Sequence, residues 1–396
     1  MTSLPYVKSF SRLKAFCEGK GFAGWDPYDG LNSRLFQALP GLSRSRWFRL
    51  AWIQLFKRSP VNLRRMAGVP EEHNPKGLGL FLTGYCYLYR TEPRDEYREK
   101  IVFLADRILS IASEGYSGAC WGYNFDWQAR AFYQPKRTPT VVATSFVADA
   151  LLTAGELLKE SRWLDTAFTS ARFVLQDLNR TYDEKGNFSF SYSPLDKTQV
   201  FNASLLGARL LARVYSFTGE QLLRDEARKA VQYVCERQRP DGAWEYGTLP
   251  YHRWVDNFHT GFNLECIYQY QQFTGDYSFQ RSMEKGFAYY LEHFFTAEGV
   301  PKYYDNKTFP IDIHAPAQLM ATLFKMNRME EHRDLADKVL DWTIRKMQAS
   351  GGYFFYQRGR WLSSRINYMR WAQAWMFYAF CCYFASLNGK SWINEL

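Results

Sequence analysis

Five times along the chain, a stretch of glycines and aromatic residues comes just before a long apolar segment, and this repetition limits the possible folds more than any other feature. The stretches are GACWGYNFDW (118–127), GNFSFSYSP (186–194), DGAWEYG (241–247), GVPKYYDN (299–306) and GGYFFYQRGRW (351–361). Their spacing is irregular and they share almost no identical positions, so the repeat is one of structure rather than a short tandem array. The apolar segments that follow begin near Thr138, Phe201, Phe258, Ile313 and Tyr368. Between each of them and the next aromatic stretch lies a second helical segment with one apolar stripe. In 220–238, Leu222, Leu223, Ala227, Ala230, Val231 and Val234 form that stripe and charges lie opposite, the pattern of a helix packed on one side and wet on the other.

The first members of these pairs are apolar around most of their circumference and read as inner helices. The second members, 95–113, 161–178, 220–238, 276–295 and 330–347, read as outer helices. An inner helix at 77–89 and an outer one at 44–56 bring the count to six of each. The expected fold is therefore all-α, a single (α/α)6 toroid of six helical hairpins spanning 43–396. Residues 1–42 form an N-terminal arm that carries Asp26 and Asp29. TGE (218–220) and TGD (274–276) are the short glycine turns that end two inner helices.

Composition matters where it excludes alternatives. Apolar residues make up 46% of the chain, ample for a packed core and too many for a disordered one. The net charge of +10 is spread over outer helices and loops with no basic run, so no nucleic-acid partner is expected. The seven Cys show no CxxC or zinc-like spacing, and the first residues lack the apolar core of a signal peptide, which together favour a cytoplasmic setting. Residues 371–387 carry no charge and approach a membrane span in length. They read as a buried inner helix, and no stable membrane insertion is expected.

In a toroid the inner helices are parallel, so their N-termini, and the aromatic loops before them, share one mouth. That mouth favours anions. Trp121, Tyr123, Trp127, Trp244, Tyr246 and Tyr303 are candidate sugar-stacking surfaces, about half of them expected to wedge loops instead. RWVDNFHTGF (253–262) places Asp256 and His259 at one inner-helix start, and FPIDIHAPAQL (309–319) places Asp312 and His314 at the next. Two of only six His thus occupy matching positions, each near a carboxylate, a plausible acid/base arrangement near neutral pH. An N-cap role for Asp256 explains the same pattern about as well. Their first turns should lie about 8–10 Å apart, room for a sugar ring between the imidazoles. Tyr368 is a further proton donor. Asn124, Asp126, Arg137, Glu245, Arg253, Arg365 and Arg370 are candidate substrate contacts, the arginines suiting a planar carboxylate. For a hydrolase, the eligible acids are Asp126, Glu245, Asp256 and Asp312.

QRPDGAWEYG (238–247) is similar to the QW motif of terpene cyclases, a likeness of hairpin grammar rather than of chemistry. As a whole, the chain resembles the six-hairpin carbohydrate-active proteins: α/α-toroid glycosidases and polysaccharide lyases, N-acylglucosamine 2-epimerases, and the helical domain of glucuronyl C5-epimerases. GWDPYDGLNS (24–33) resembles a segment of uncharacterised proteins encoded with bacterial surface-polysaccharide genes. The resemblance implies an enzyme that processes an anionic, uronic-acid-containing sugar in surface-polysaccharide biosynthesis or remodelling. Proton abstraction, of epimerase or lyase type, is the leading chemistry. Glycoside hydrolysis and a non-catalytic glycan-binding or scaffolding role are the alternatives. The partners implied are an anionic carbohydrate and other polysaccharide-assembly proteins, with no cofactor and no metal required.

Overall fold

The computed structural model describes residues 4–130 and 132–390; the predicted end of the toroid at 396 lies outside them. The N-terminal part supplies α1 (Leu4–Gly19), the short turns α2 (Arg34–Gln37) and α3 (Pro40–Ser43), the longer α4 (Arg46–Arg58), and the turn α5 (Arg64–Ala67). Four complete hairpins follow: α6 (Pro75–Thr91) with α7 (Asp95–Leu109), α8 (Val141–Leu158) with α9 (Ser161–Arg172), α10 (Phe201–Thr218) with α11 (Gln221–Cys235), and α12 (Asn257–Thr274) with α13 (Gln280–Phe294). The fifth is α14 (His314–Lys325) with α15 (Arg333–Met347), and α16 (Trp375–Leu387) is the last inner helix. Each inner helix packs on the next, and α16 returns to α6. The ring is closed, an (α/α)6 toroid.

The inner helices α10 and α12 stop where the sequence indicated. Gly219 and Gly275 adopt positive φ (68° and 70°), and their N–H groups bond to the carbonyls of Tyr215 and Gln271. Cys86, Cys266, Cys381 and Cys382 are buried in the core, where a thiol packs as a small apolar residue. Residues 371–387 are an inner-helix segment packed between α6 and α14. Helix α8 is also apolar and long enough to span a bilayer, yet 83% of it is buried inside the protein. Three rings from alternate inner helices, Phe146, Phe262 and Trp375, close the axis, each pair of centroids 5.6 Å apart. The centre is a packed core rather than a pore.

One helix takes a different place from the expected one. The sixth outer position belongs to α1, not to the helix predicted at 44–56. Tyr6 meets Tyr383, and Phe10 packs on Phe377, Phe380 and Phe384 of α16. The hydrogen bonds show the equivalence. Gln238 after α11 donates to the Gly242 and Ser282 carbonyls and accepts from the Ser282 hydroxyl of α13. Gln348 after α15 donates to the Gly352 and Ser9 carbonyls and accepts from the Ser9 hydroxyl of α1. The same glutamine clasp joins consecutive outer helices at both places, which accounts for the QW-like segment in structural terms.

Helix α4 instead lies across the mouth side. Arg49 donates to Gln128 and stacks on Tyr133, the Trp52 indole N–H donates to the Gly30 carbonyl, and Lys57 donates to the Tyr28 hydroxyl. The segment 24–33 wraps around two arginines. Arg64 holds Asp29 at 2.6 Å and the Asp26 carbonyl at 2.8 Å, and Arg370 forks onto the Asp26 carboxylate at 2.5 and 2.8 Å. Three two-stranded ribbons edge the loops: β1 (Trp127–Gln128) with β2 (Tyr133–Gln134), β3 (Arg180–Tyr182) with β4 (Phe188–Phe190), and β5 (Ile311–Asp312) with β6 (Gln357–Arg358).

Candidate active site at the toroid mouth

Asp256 is the N-cap of α12, its carboxylate accepting the His259 backbone N–H at 3.0 Å. The capping reading is therefore correct, but it does not exhaust the residue. The other carboxylate oxygen accepts from His259 Nδ1 at 2.7 Å and from the Trp254 indole at 2.9 Å. Helical geometry brings residues three apart onto one face, so cap and imidazole meet. With Nδ1–H held by a carboxylate, the tautomer is set and Nε2 is left to accept a proton. His259 keeps 21% of its side chain exposed while Asp256 keeps none.

Aromatic rings build a wall beside this pair. Tyr246 stacks on Trp254 at 4.6 Å and 16°, and its ring lies 4.7 Å from His259. His252 packs edge-on to Tyr246, and burial pushes its imidazole down to about 4, so it stays neutral. Tyr303 lies against Phe258 at 5.6 Å. Across the mouth, Trp127 contacts Tyr28, Phe132 and Tyr192, and the Tyr192 and Tyr123 hydroxyls share a hydrogen bond of 2.9 Å.

The second His/Asp pair sits deeper. Asp312 is fully buried and accepts from the His314 backbone N–H, the Trp371 indole and Gln357, at 2.9, 2.8 and 2.7 Å. Burial nevertheless raises its carboxyl to about 6. His314 is 1% exposed, stacked on Phe258 at 4.3 Å and 1°, with Trp375 at 4.1 Å on its other contact. Neither ring nitrogen has a partner; burial, with Lys76 nearby, lowers its pKa. Phe258 touches both imidazoles, 4.2 Å from His259 and 4.3 Å from His314. The gap expected to admit a sugar ring is thus occupied by this side chain, and only His259 reaches solvent.

The remaining predicted residues divide by position. Trp121 and Trp244 are buried wedges, their indole N–H groups donating to carbonyls near the ends of the preceding outer helices, Ile108 and Val234. Tyr368 is buried beneath Arg64, 4.6 Å from its guanidinium, and does not reach the mouth. The fork of Arg370 is filled by Asp26, so it is not free for a substrate carboxylate. Arg253 and Arg365 are exposed, the latter lying on Phe355. Asn124, Asp126 and Arg137 belong to a separate rim. Asn124 accepts from Asn74, Asp126 accepts from the Lys136 backbone N–H at 2.7 Å, and Arg137 lines a cleft of about 320 Å³ with Glu72 and His73. Glu245 is half-buried on the loop before Tyr246.

Sequence reasoning missed three contributors. Trp254 stands two residues before Asp256 and was readable from that adjacency. Trp371 sits on a π-helical turn, Met369–Ala374, that opens α16, and in sequence it looks like any core residue of an apolar run. Lys76 is the third. It enters α6 two residues after its N-cap Asn74, and its ammonium lies 4.2, 5.0 and 5.3 Å from the rings of Phe146, Phe262 and Trp375.

No described sequence family matches the chain, and no curated protein matches it in sequence. Solved structures do. The chain is similar to a cellobiose 2-epimerase from Bacillus thermoamylovorans, with a TM-score of 0.61 at 13% identity over 80% of this chain and 88% of that one. It is similar to a GH76 α-mannanase from Bacteroides thetaiotaomicron, with a TM-score of 0.60 at 14% identity, again over 80% and 88%. An unsaturated glucuronyl hydrolase variant with dGlcA-Glc-Rha-Glc aligns over 96% of this chain and 95% of its own, with a TM-score of 0.61 at 11% identity. At such identities the likeness is one of fold.

Proposed function

We propose that this protein is a carbohydrate-processing enzyme that moves a proton at a sugar carbon next to a carbonyl, in the manner of an epimerase or isomerase. The observation that carries the reading is the Asp256–His259 pair, oriented at 2.7 Å and open to solvent beside the Tyr246–Trp254 stack. His259 Nε2 takes the proton from carbon, the electron pair moves onto the carbonyl oxygen, and Asp256 stabilises the imidazolium that forms. Reprotonation on the opposite face of that carbon gives the epimer, and reprotonation at the former carbonyl carbon gives the isomer. A positioned base of this kind contributes roughly 10²–10⁴ in rate. The toroid neighbours include sugar epimerases and a mannose isomerase, consistent with this class.

The finer reading is a uronate substrate, whose carboxylate acidifies the neighbouring C–H, in cytoplasmic surface-polysaccharide synthesis or remodelling; β-elimination begins with the same proton removal. Hydrolysis is less well supported, because it needs two free carboxylates and three of the four eligible acids, Asp126, Asp256 and Asp312 but not Glu245, are engaged by backbone or side-chain donors. The test is solvent deuterium incorporation at the carbon next to the carbonyl, over a panel of aldoses, disaccharides and oligouronides. His259→Ala should lower exchange roughly 10²–10⁴-fold, and Asp256→Asn, which disturbs the tautomer, by a similar order. Turnover without exchange overturns the reading. A protein that binds glycans equally well with and without His259 and never exchanges is a binding module instead.

A further inference from the structure

A groove of about 400 Å³ runs beside the mouth, between α4 and the loops of the last two hairpins. That volume falls within the ordinary range for small-ligand sites. Its lining includes Lys57, Arg58 and Lys307 and no acidic residue. Lys57 lies 4.5 Å from the Tyr28 ring and donates to its hydroxyl, and Lys307 lies 4.4 Å from the Tyr304 ring. Among the described residues, no carboxylate pairs with any of the three. The nearby acids are committed elsewhere: Asp312 to its three donors, and Asp305 to the Tyr289 hydroxyl at 2.8 Å. Buried Asp312 is a counter-charge for Lys57, whereas Arg58 and Lys307 are exposed with no carboxylate at ion-pair distance among the described residues, so the groove carries a positive surplus that favours an anion.

Two observations identify the anion's scaffold as sugar. Tyr303 lines this groove and also packs on Phe258, which touches His259, so groove and candidate site share a wall. The hairpin that forms the outer wall, closed by the Gln357–Ser364 bridge, holds Trp361 almost entirely in water, 86% exposed. Arg360 lies over this ring at 5.3 Å, and the indole, carried between the groove residues Gly359 and Leu362, offers a flat apolar surface suited to the apolar face of a pyranose.

We propose that this groove holds the acidic residues of an oligosaccharide whose reacting sugar lies at His259, which makes the substrate an anionic glycan several residues long. The proposal rests on the reading of the mouth as a sugar-processing site, and it adds where substrate charge is recognised. Arg370, filled by Asp26, is not the carboxylate clamp; Lys57, Arg58 and Lys307 are.

Calorimetric titration with tetragalacturonate and with its carboxyl-reduced galactose counterpart tests this on the full chain. The acidic tetrasaccharide should bind at least about tenfold more tightly at low salt. The difference should shrink at ~1 M salt, where charges are screened within about 3 Å. The exposed double variant Arg58→Ser with Lys307→Ser should lose the preference with an unchanged melting temperature. Trp361→Ala should weaken both ligands alike, because stacking does not read charge, and His259→Ala should keep the preference while losing isotope exchange. Equal affinity for the two ligands, binding of neither at millimolar concentration, or a preference that survives the double variant each overturns the proposal. Charge preference without any exchange removes the proton-transfer reading and leaves the groove standing. Exchange without charge preference does the reverse.

Discussion

Lys76 shows how one residue can work against the stability of its own surroundings. Its ammonium has three aromatic rings for company and, among the described residues, no ion pair, and burial drives its pKa well below the usual lysine value. Below about pH 10.4 the unfolded chain therefore holds a proton that the folded state resists, and stability rises as pH climbs toward that value. Lys76→Met keeps the volume and removes the penalty. The variant should melt no lower than the wild type at neutral pH, and its advantage should shrink between about pH 8 and about 10, as read by thermal unfolding. Asp312 carries the opposite linkage. Its carboxyl is raised to about 6, so between about pH 4 and 6 the folded state keeps a proton that the unfolded chain has released. Stability contributed by this group falls as pH rises through that window. Asp312→Asn, compared with the wild type by urea denaturation, should lack this fall. At the same scale, the site was half legible: Asp256 and His259 meet because they are three positions apart on one helix. The Asp26–Arg370 pair spans 344 positions, and no local pattern announces it.

Among elements, the 24–33 segment has the largest effect for its length. It ties the arm to α5 through Arg64 and to the π-helical start of α16 through Arg370. Removing one partner of a buried pair costs about 3–5 kcal/mol, chiefly because the other charge is left unpaired. Asp26→Ala should lower unfolding stability by that order, and adding Arg370→Met should restore part of it, measured by denaturant midpoint. The sequence sets residues 1–42 apart from the repeats as an arm with two aspartates, yet the first helix of that arm, α1, takes an outer place in the ring. That the aspartates serve arginines rather than substrate follows only from which loops the fold brings together. The same limit explains α4. Its amphipathic stripe suits an outer helix as well as a mouth cover, and the choice is made by partners such as Gln128, Gly30 and Tyr28 on other segments.

At the scale of the whole molecule, the alternation of inner and outer helices was readable because each hairpin's burial is a local pattern. Which helix closes the circle was not, since α1 and its partners Tyr383, Phe377 and Gln348 are more than 300 positions apart. Removing residues 1–19 should uncover the Phe377, Phe380 and Phe384 face of α16 and open the ring between α15 and α7. The expected outcome is dye-binding apolar surface and loss of a single cooperative melt. Two-state melting at the wild-type temperature would contradict the closing role of α1.

The glutamine clasp between Ser9 and Gln348 has a consequence for biosynthesis. During translation, α1 emerges before the helices it joins and waits with its phenylalanine side chains uncovered while five hairpins are made. Neighbouring hairpins join over short chain distances and assemble early as an open arc, whereas the last joint demands a contact of very high sequence separation. At roughly 5–20 residues per second, that interval lasts on the order of twenty seconds to over a minute. A nascent chain of this kind is a natural client for whatever shields apolar helices at the ribosome exit.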